Sequence, residues 1–449
     1  MSKSLLAKYS GPVPRYTSYP TAPHFHEGVG CGNYAQWLKA LGPGQSLSLY
    51  LHIPYCDRLC WFCACHTKHT LRYEPIATYL EALHREIAAV GELVGSGARV
   101  SAVHFGGGSP TMLRPEDMTA LMAALRAAFD FREDVEISVE MDPNDLDDPR
   151  YDALAAVGMT RASLGVQDFH PDVQKAINRI QTFEQTRSVV EAVRARGARS
   201  VNCDILYGLP HQTEETLART VEQIVSLDPD RVALFGYAHV PWMKKHQTMI
   251  PDASLPGMEA RFAQMNLAAD MLVAAGYVPV GIDHFAKPDD SLAVATASGR
   301  LRRNFQGYTD DAADAVIGLG ASSIGQLPQG YVQNITATAD YQRMAHGQGL
   351  AVTRGIAMTE EDSARAHVIE RIMCDFSFSL CELRATYPWI AESLVEEAKA
   401  FAEADQDGLC IIDDKRFSLT PAGRPFARTV AAVFDSYLAN GKGRHSVAV

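Results

Sequence analysis

Cys56, Cys60 and Cys63 stand at Cys-x3-Cys-x2-Cys spacing, directly after an alternating run from Leu47 to Ile53. Three thiolates this close in one loop can hold three irons of a four-iron, four-sulfur cluster, leaving a fourth iron open to an outside ligand. Structural zinc is the rival, because it takes four ligands and Cys65 or His66 could complete the set. Zinc sites usually pair a first Cys couple with a second some distance away, and this sequence has no second couple. Cys31, Cys203, Cys374, Cys381 and Cys410 are scattered singly and read as buried small hydrophobes. A disulfide is not expected in a chain that reads as cytoplasmic, where thiols stay reduced.

The elements that must position this loop follow from periodicity. From residue 46 to about 282, strand patterns at Leu47–Ile53, Ser101–Phe105, Val135–Met141, Ala162–Val166, Val201–Leu206 and Val232–Tyr237 alternate with helical ones. Such alternation implies parallel strands joined by right-handed crossovers. Along the strands, Leu47, Leu49, Leu51 and Ile53 share one face and oppose Tyr50 and His52. Glu140, Gln167 and Asp204 fall on the corresponding polar face of later strands. If the apolar face meets the helices, Tyr50, Glu140, Gln167 and Asp204 converge near strand ends, where barrel enzymes place their chemistry. A partial barrel is therefore expected rather than a doubly wound sheet, whose strands are apolar on both faces.

Gly106-Gly107-Gly108, followed by Ser109, leaves three residues without a Cβ after the second strand, so that backbone groups can approach a ligand closely. His284, Arg302 and Arg303 are the nearest approach to a carboxylate-binding set. Asp283–Asp290 and Ile317–Gly325 read as turns. The Pro- and Tyr-rich residues 1–45 read as an arm packed over another domain, residues 46–350 as the barrel with its extension, and 351–449 as a smaller, mostly helical domain. In that last part, a helix, the hairpin Leu409–Leu419 and a final helix at about Pro425–Leu438 suggest a winged-helix module.

With 47% hydrophobic and 21% charged residues in 449, a large packed core is expected and disorder is not. The start of the sequence lacks a long apolar core and no run approaches a membrane span, so a cytoplasmic location is expected. A formal net charge of −12 argues against a nucleic-acid surface. It also means that a polyanionic ligand would need a local basic pocket.

Together the cysteine loop, Pro14–Thr21, Gly106–Thr111, Gly165–Asp168, Asp204–Pro210, Asp283–Phe285 and Asn304–Tyr308 resemble the radical S-adenosylmethionine enzymes. More narrowly they are similar to the oxygen-independent coproporphyrinogen III oxidase family. The resemblance implies an α/β fold: a partial (β/α)6 barrel with an N-terminal arm and a winged-helix-like C-terminal domain. It implies one [4Fe-4S] cluster on Cys56, Cys60 and Cys63, with Cys65 nearby but not a ligand. Two molecules of S-adenosylmethionine are implied, the first held by Tyr50, Gly107, Glu140 and Ile324, with Tyr50 and Glu140 also serving the reaction. The second would be contacted by Phe62, Gly108, Ser109, Gln167, Arg179, Asp204 and Ala238. The implied reaction turns two propionates of coproporphyrinogen III into vinyl groups, giving protoporphyrinogen IX, with a reduced flavodoxin- or ferredoxin-type electron donor. A monomer without nucleic-acid or membrane partners is implied. A haem chaperone or a radical methylase of the same superfamily is the alternative.

Overall fold

The strand patterns of the first half become six parallel strands: β1 (Ser46–Ile53), β2 (Arg99–Gly107), β3 (Asp130–Met141), β4 (Arg161–Gln167), β5 (Ser200–Tyr207) and β6 (Arg231–Gly236). This computed structural model describes residues 3–144 and 146–438. Each strand lies beside the next in sequence, with no reversal between β1 and β6. A right-handed crossover places its helix on a fixed side, so a one-way strand order puts every connecting helix on one face. A doubly wound sheet reverses at a switch point and is covered on both faces.

The side-chain phase agrees with that order. Leu47, Leu49, Leu51 and Ile53 are fully buried, and they share a core with Tyr79 and Leu83 of helix Glu74–Val94 and Leu121 and Leu125 of helix Pro115–Ala128. The opposite face carries His104, Glu140, Ser163, Asn202 and Asp204 around an interior cavity of about 220 Å³. The barrel is thus apolar outside, under its helices, and polar within.

Two additions widen the sheet to twelve strands. Beyond β6 lie β7 (Val278–Val280) and β8 (His284–Ala286), antiparallel to one another, so the turn expected at 283–290 holds a strand. Beyond β1 lies β9 (Ala315–Leu319), parallel to it, with Leu49 opposite Ile317. An antiparallel meander follows: β10 (Ile324–Leu327), β11 (Gly330–Asn334) and β12 (Val352–Ala357). The small-residue stretch from Ile317 therefore begins as a strand and turns only at Gly320. Gly318 stays within the strand because the backbone of Ile324 passes where its Cβ would stand, 2.7 Å from the Ile324 oxygen.

The edge strand β12 is covered by the N-terminal arm, where His26 and Gly355 exchange backbone hydrogen bonds of 2.9 and 3.0 Å. That removes an unpaired edge. Further along, Tyr16 and Tyr19 sink into the core of the C-terminal unit. The Tyr16 hydroxyl donates to Asp435 at 2.9 Å, and Arg428 donates to the Val13 carbonyl at 2.7 Å.

The C-terminal unit runs helix Glu360–Asp375, strand Ser377–Ser379, helices Leu380–Thr386 and Ala391–Ala404, then strands Cys410–Ile412 and Arg416–Leu419. This is the element order of a winged helix. A Thr359 capping box with Asp362 starts its first helix. The single last helix expected at Pro425–Leu438 is instead broken into Arg424–Phe426, Ala427–Ala431 and Ala432–Phe434, the outer two being 3-10 turns. Tightening the coil lets Phe426, Val430 and Phe434 all bury completely. Residues 1–2 of the expected arm and 439–449 of the expected C-terminal domain lie outside the described residues. Among the described residues, no helix is long and apolar enough to cross a membrane.

Candidate functional site at the cysteine loop

The cysteine loop leaves the end of β1 and is held from both sides. Trp61 donates its backbone N–H to Ile177 at 2.9 Å, and the Asn178 amide donates to the Leu59 carbonyl at 2.9 Å. From the other side, Lys244 donates to the Cys65 carbonyl at 2.8 Å, the His246 ring lies 2.7 Å from the Cys63 carbonyl, and Gln247 donates to the Phe62 carbonyl at 2.9 Å. This second clamp comes from a loop almost two hundred residues downstream, which carries no motif of its own.

The donor set fits an iron–sulfur cluster. Cys60 is buried, and Cys56 and Cys63 are half-buried in the same loop. A single zinc ion requires its thiolates at about 2.3 Å around one point. Among the described residues, no three His, Cys, Asp or Glu side chains are grouped to hold one ion. A cluster asks for something different, with each thiolate reaching its own iron. Arg179 stands 3.7 Å from the Cys60 sulfur, and it is held there by Asp142 at 3.0 Å and the Gly165 carbonyl at 2.6 Å. Burial pushes the Cys60 thiol up, and the nearby Arg179 opposes that.

Beside the loop, Tyr50, Gly107, Glu140 and Ile324 line one cavity of about 580 Å³ together with Cys65. Four positions far apart in the chain therefore meet: strand phase implied this for Tyr50 and Glu140, the family resemblance for Gly107 and Ile324. Gln167 and Asp204, grouped with the first two by phase, do not line this cavity. Glu140 accepts the Gly107 amide at 3.0 Å, and His104 Nε2 lies 3.1 Å from its other oxygen. Burial acts to raise the Glu140 carboxyl, but these two partners outweigh it and hold it below the usual range. The Tyr50 hydroxyl lies 3.0 Å from His52 Nδ1, and its ring stacks on His104 at 5.7 Å. Burial lowers His52 to about 4, so its imidazole is neutral.

The glycine turn is shaped by this crowding. Gly107 has φ +111, and a Cβ there would stand 2.6 Å from the His52 ring. A Cβ on Gly108 would stand 2.5 Å from the Tyr55 carbonyl oxygen, because Gly108 donates to Ile53 at 2.8 Å and presses flat against the end of β1.

The remaining candidates are more dispersed. Asp204 shares the interior cavity with Glu140, accepts from Asn202 at 2.8 Å, and is pushed up to about 6, first by burial. Gln167 sits at a left-handed φ of +70, where β4 ends, and meets Arg179 across Gly165. Such a backbone is uncommon away from glycine and marks a constrained position. Ser109 is buried, with its hydroxyl 3.0 Å from that of Thr111. Phe62 packs beside Leu206, Leu209 and Tyr237. Ala238 lines a different cavity, under β6. His52 and His104, which support Tyr50 and Glu140, were not among the expected site residues; their signal was the strand phase they share with Tyr50. Of the expected carboxylate-binding set, Arg303 and His284 flank Asp283, while Arg302 turns away to Glu370 at 2.9 Å.

The Radical SAM superfamily profile matches residues 50–224, which span the cysteine loop and strands β1 to β5. An oxygen-independent coproporphyrinogen III oxidase from Bradyrhizobium diazoefficiens is 48% identical over 97% of this chain and 97% of its own length. One of the same name from Paracoccus denitrificans is 46% identical over 99% of this chain and 98% of its own. Among solved structures, coproporphyrinogen III oxidase from Escherichia coli, described as a radical SAM enzyme, superposes with a TM-score of 0.92 at 38% identity, covering 97% of this chain and 99% of that one.

Proposed function

This chain belongs to the oxygen-independent coproporphyrinogen III oxidases of the radical SAM superfamily, and from that membership we propose how its residues divide the work. It is an oxidoreductase that converts two propionates of coproporphyrinogen III to vinyl groups, using a [4Fe-4S] cluster and S-adenosylmethionine. The names of its relatives favour this reading over a haem chaperone or a methylase. When bound, these groups supply reductive cleavage of a carbon–sulfur bond and abstraction of hydrogen from carbon.

Cys56, Cys60 and Cys63 hold the cluster, and Arg179 offsets the negative charge that gathers at Cys60. Glu140, kept ionised by His104 and the Gly107 amide, offers an acceptor to the amino group of S-adenosylmethionine. Tyr50, Gly107 and Ile324 complete that wall. A second S-adenosylmethionine would be contacted by Phe62, Gly108, Ser109, Gln167, Arg179, Asp204 and Ala238. The helix-covered barrel keeps water from a reactive carbon centre. The protein works as a monomer with a reduced flavodoxin- or ferredoxin-type donor.

The observation that carries this reading is the meeting of the cysteine loop with the Tyr50–Gly107–Glu140–Ile324 wall around one cavity. The test is anaerobic assay of carbon dioxide release from coproporphyrinogen III. Cys56→Ser should lose both iron and S-adenosylmethionine cleavage, whereas Asp204→Ala should keep its iron and bind one S-adenosylmethionine instead of two. Iron loss in Asp204→Ala, or no carbon dioxide from the wild type, would refute the assignment.

A further inference from the structure

Five arginines from four separate segments line one cavity of about 570 Å³ below the end of β6: Arg15 of the arm, Arg261 of helix Met258–Ala274, Arg303, and Arg424 with Arg428. In a chain of net charge −12, this concentration of positive charge is a local exception. The facing acid within the site is Asp283, which already receives His284 Nδ1 at 2.7 Å and stands 4.0 Å from Arg303. A second carboxylate, Asp270, lines the outer part of the cavity and is exposed.

Arg303 is the least satisfied of the five. Its side chain is 5% exposed and stacks over Tyr308 at 4.3 Å, yet its Nε and Nη1 have no hydrogen-bond partner. A guanidinium has five donors; here Nη2 reaches the Arg15 carbonyl at 3.5 Å, and leaving the other two nitrogens unfilled in a buried place costs free energy that an arriving acceptor would recover. The neighbours sharpen the point. Burial lowers Arg428 to about 9, and Arg15 and Arg303 repel its charge as well. Burial likewise lowers Arg261, and Arg15 adds to the effect. Like charges brought together around one cavity, with Arg303 and Arg428 buried, Arg261 half-buried and Arg15 exposed, call for an anion.

We propose that this cavity is the substrate-carboxylate subsite, in which Arg303, with Arg15, Arg261 and Arg428, holds the propionates that are not reacting. The proposal rests on the functional reading above. A planar guanidinium fork matches a carboxylate two bonds at a time. Tyr207, Phe235 and Trp242 give the same cavity an aromatic wall suited to a tetrapyrrole body. Phe235 also faces the interior cavity that holds Glu140 and Asp204, so a molecule anchored here extends toward the lumen. The subsite exists only when the arm and the C-terminal unit are docked, because Arg428 also donates to the Val13 and Pro14 carbonyls beside Arg15. This gives both appendages a part in substrate binding.

The test uses the anaerobic holoenzyme and coproporphyrin III, the unreactive aromatic tetracarboxylate, titrated by fluorescence beside deuteroporphyrin IX, which has two carboxylates. Arg303→Gln and Arg261→Gln should each weaken coproporphyrin III binding at least about tenfold, and should raise KM for coproporphyrinogen III more than they lower kcat. Deuteroporphyrin IX should be weakened less, and Arg303→Lys should recover part of the loss. Iron content and circular dichroism report whether a variant is folded; if Arg303→Gln is not, Arg261→Gln carries the same criterion. Wild-type affinity in folded variants overturns the subsite. If the wild type releases carbon dioxide while both variants bind normally, the subsite alone falls. If the wild type neither binds nor decarboxylates, the functional reading falls and the subsite with it.

Discussion

Glu86 is a carboxylate sealed inside the barrel wall, and the pH dependence of folding should report it. It lies on helix Glu74–Val94, is fully buried, and accepts the Gly320 amide at 2.7 Å, the Tyr341 hydroxyl at 2.6 Å and the Asn334 amide at 2.6 Å. These bonds hold the turn that leads from β9 to Ile324. Burial raises the Glu86 carboxyl from its ordinary 4.5 to about 7, although its three donors pull the other way. An acid raised on folding binds its proton more tightly in the native state. Its contribution to stability is therefore greatest below pH 4.5, falls as pH rises toward about 7, and levels off above. The displacement from 4.5 to about 7, at about 1.4 kcal/mol for each pH unit, amounts to about 3 kcal/mol in full. From about pH 5.5 to about pH 8.5, the part that can be read is about 2 kcal/mol. Glu86→Gln removes the titration while keeping the shape. One new N–H then faces the Asn334 donor, which adds a pH-independent cost of about 1–3 kcal/mol. Urea unfolding of wild type and variant across that range should show the wild-type advantage shrinking as pH rises. An advantage that stays flat, or grows, would refute the account.

Two further outcomes follow from crowding and burial. Gly107→Ala forces a side chain onto φ +111 and against the His52 ring, at a cost of about 1–3 kcal/mol, and shifts the amide that Glu140 receives. Weaker S-adenosylmethionine binding and a lower unfolding midpoint are expected by titration and urea unfolding; wild-type values in both would refute the crowding. Tyr16→Phe leaves Oδ2 of the buried Asp435 without its Tyr16 donor, while the Tyr437 and Leu438 amides still bond Oδ1, and should cost about 1–3 kcal/mol. Limited proteolysis should then cut the arm sooner, and an unchanged rate would show that the arm is held by other contacts.

The cysteine spacing, the one-face polarity of the strands and the glycine turn were legible in the sequence because each is a local pattern. Thiolates within eight positions share a loop whatever surrounds them. A period of two decides which strand residues share a face before any packing is known. That is why Tyr50 and Glu140 meet as their phase implied. The rest depended on segments distant in sequence. β9 looks like a small-residue turn until β1 pairs with it, because its glycine and its brevity hide a strand whose neighbour is more than two hundred residues away. The clamp of Lys244, His246 and Gln247 on the cysteine loop is equally non-local. So is the basic cavity. Arg15 and Arg428 lie at opposite ends of the chain, and Arg302 and Arg303 look interchangeable as letters; only the folded ribbon sends one to Glu370 and buries the other beside Asp283. Periodicity sets which way a side chain faces. Which charges are forced together out of water is decided when separate elements close on one another.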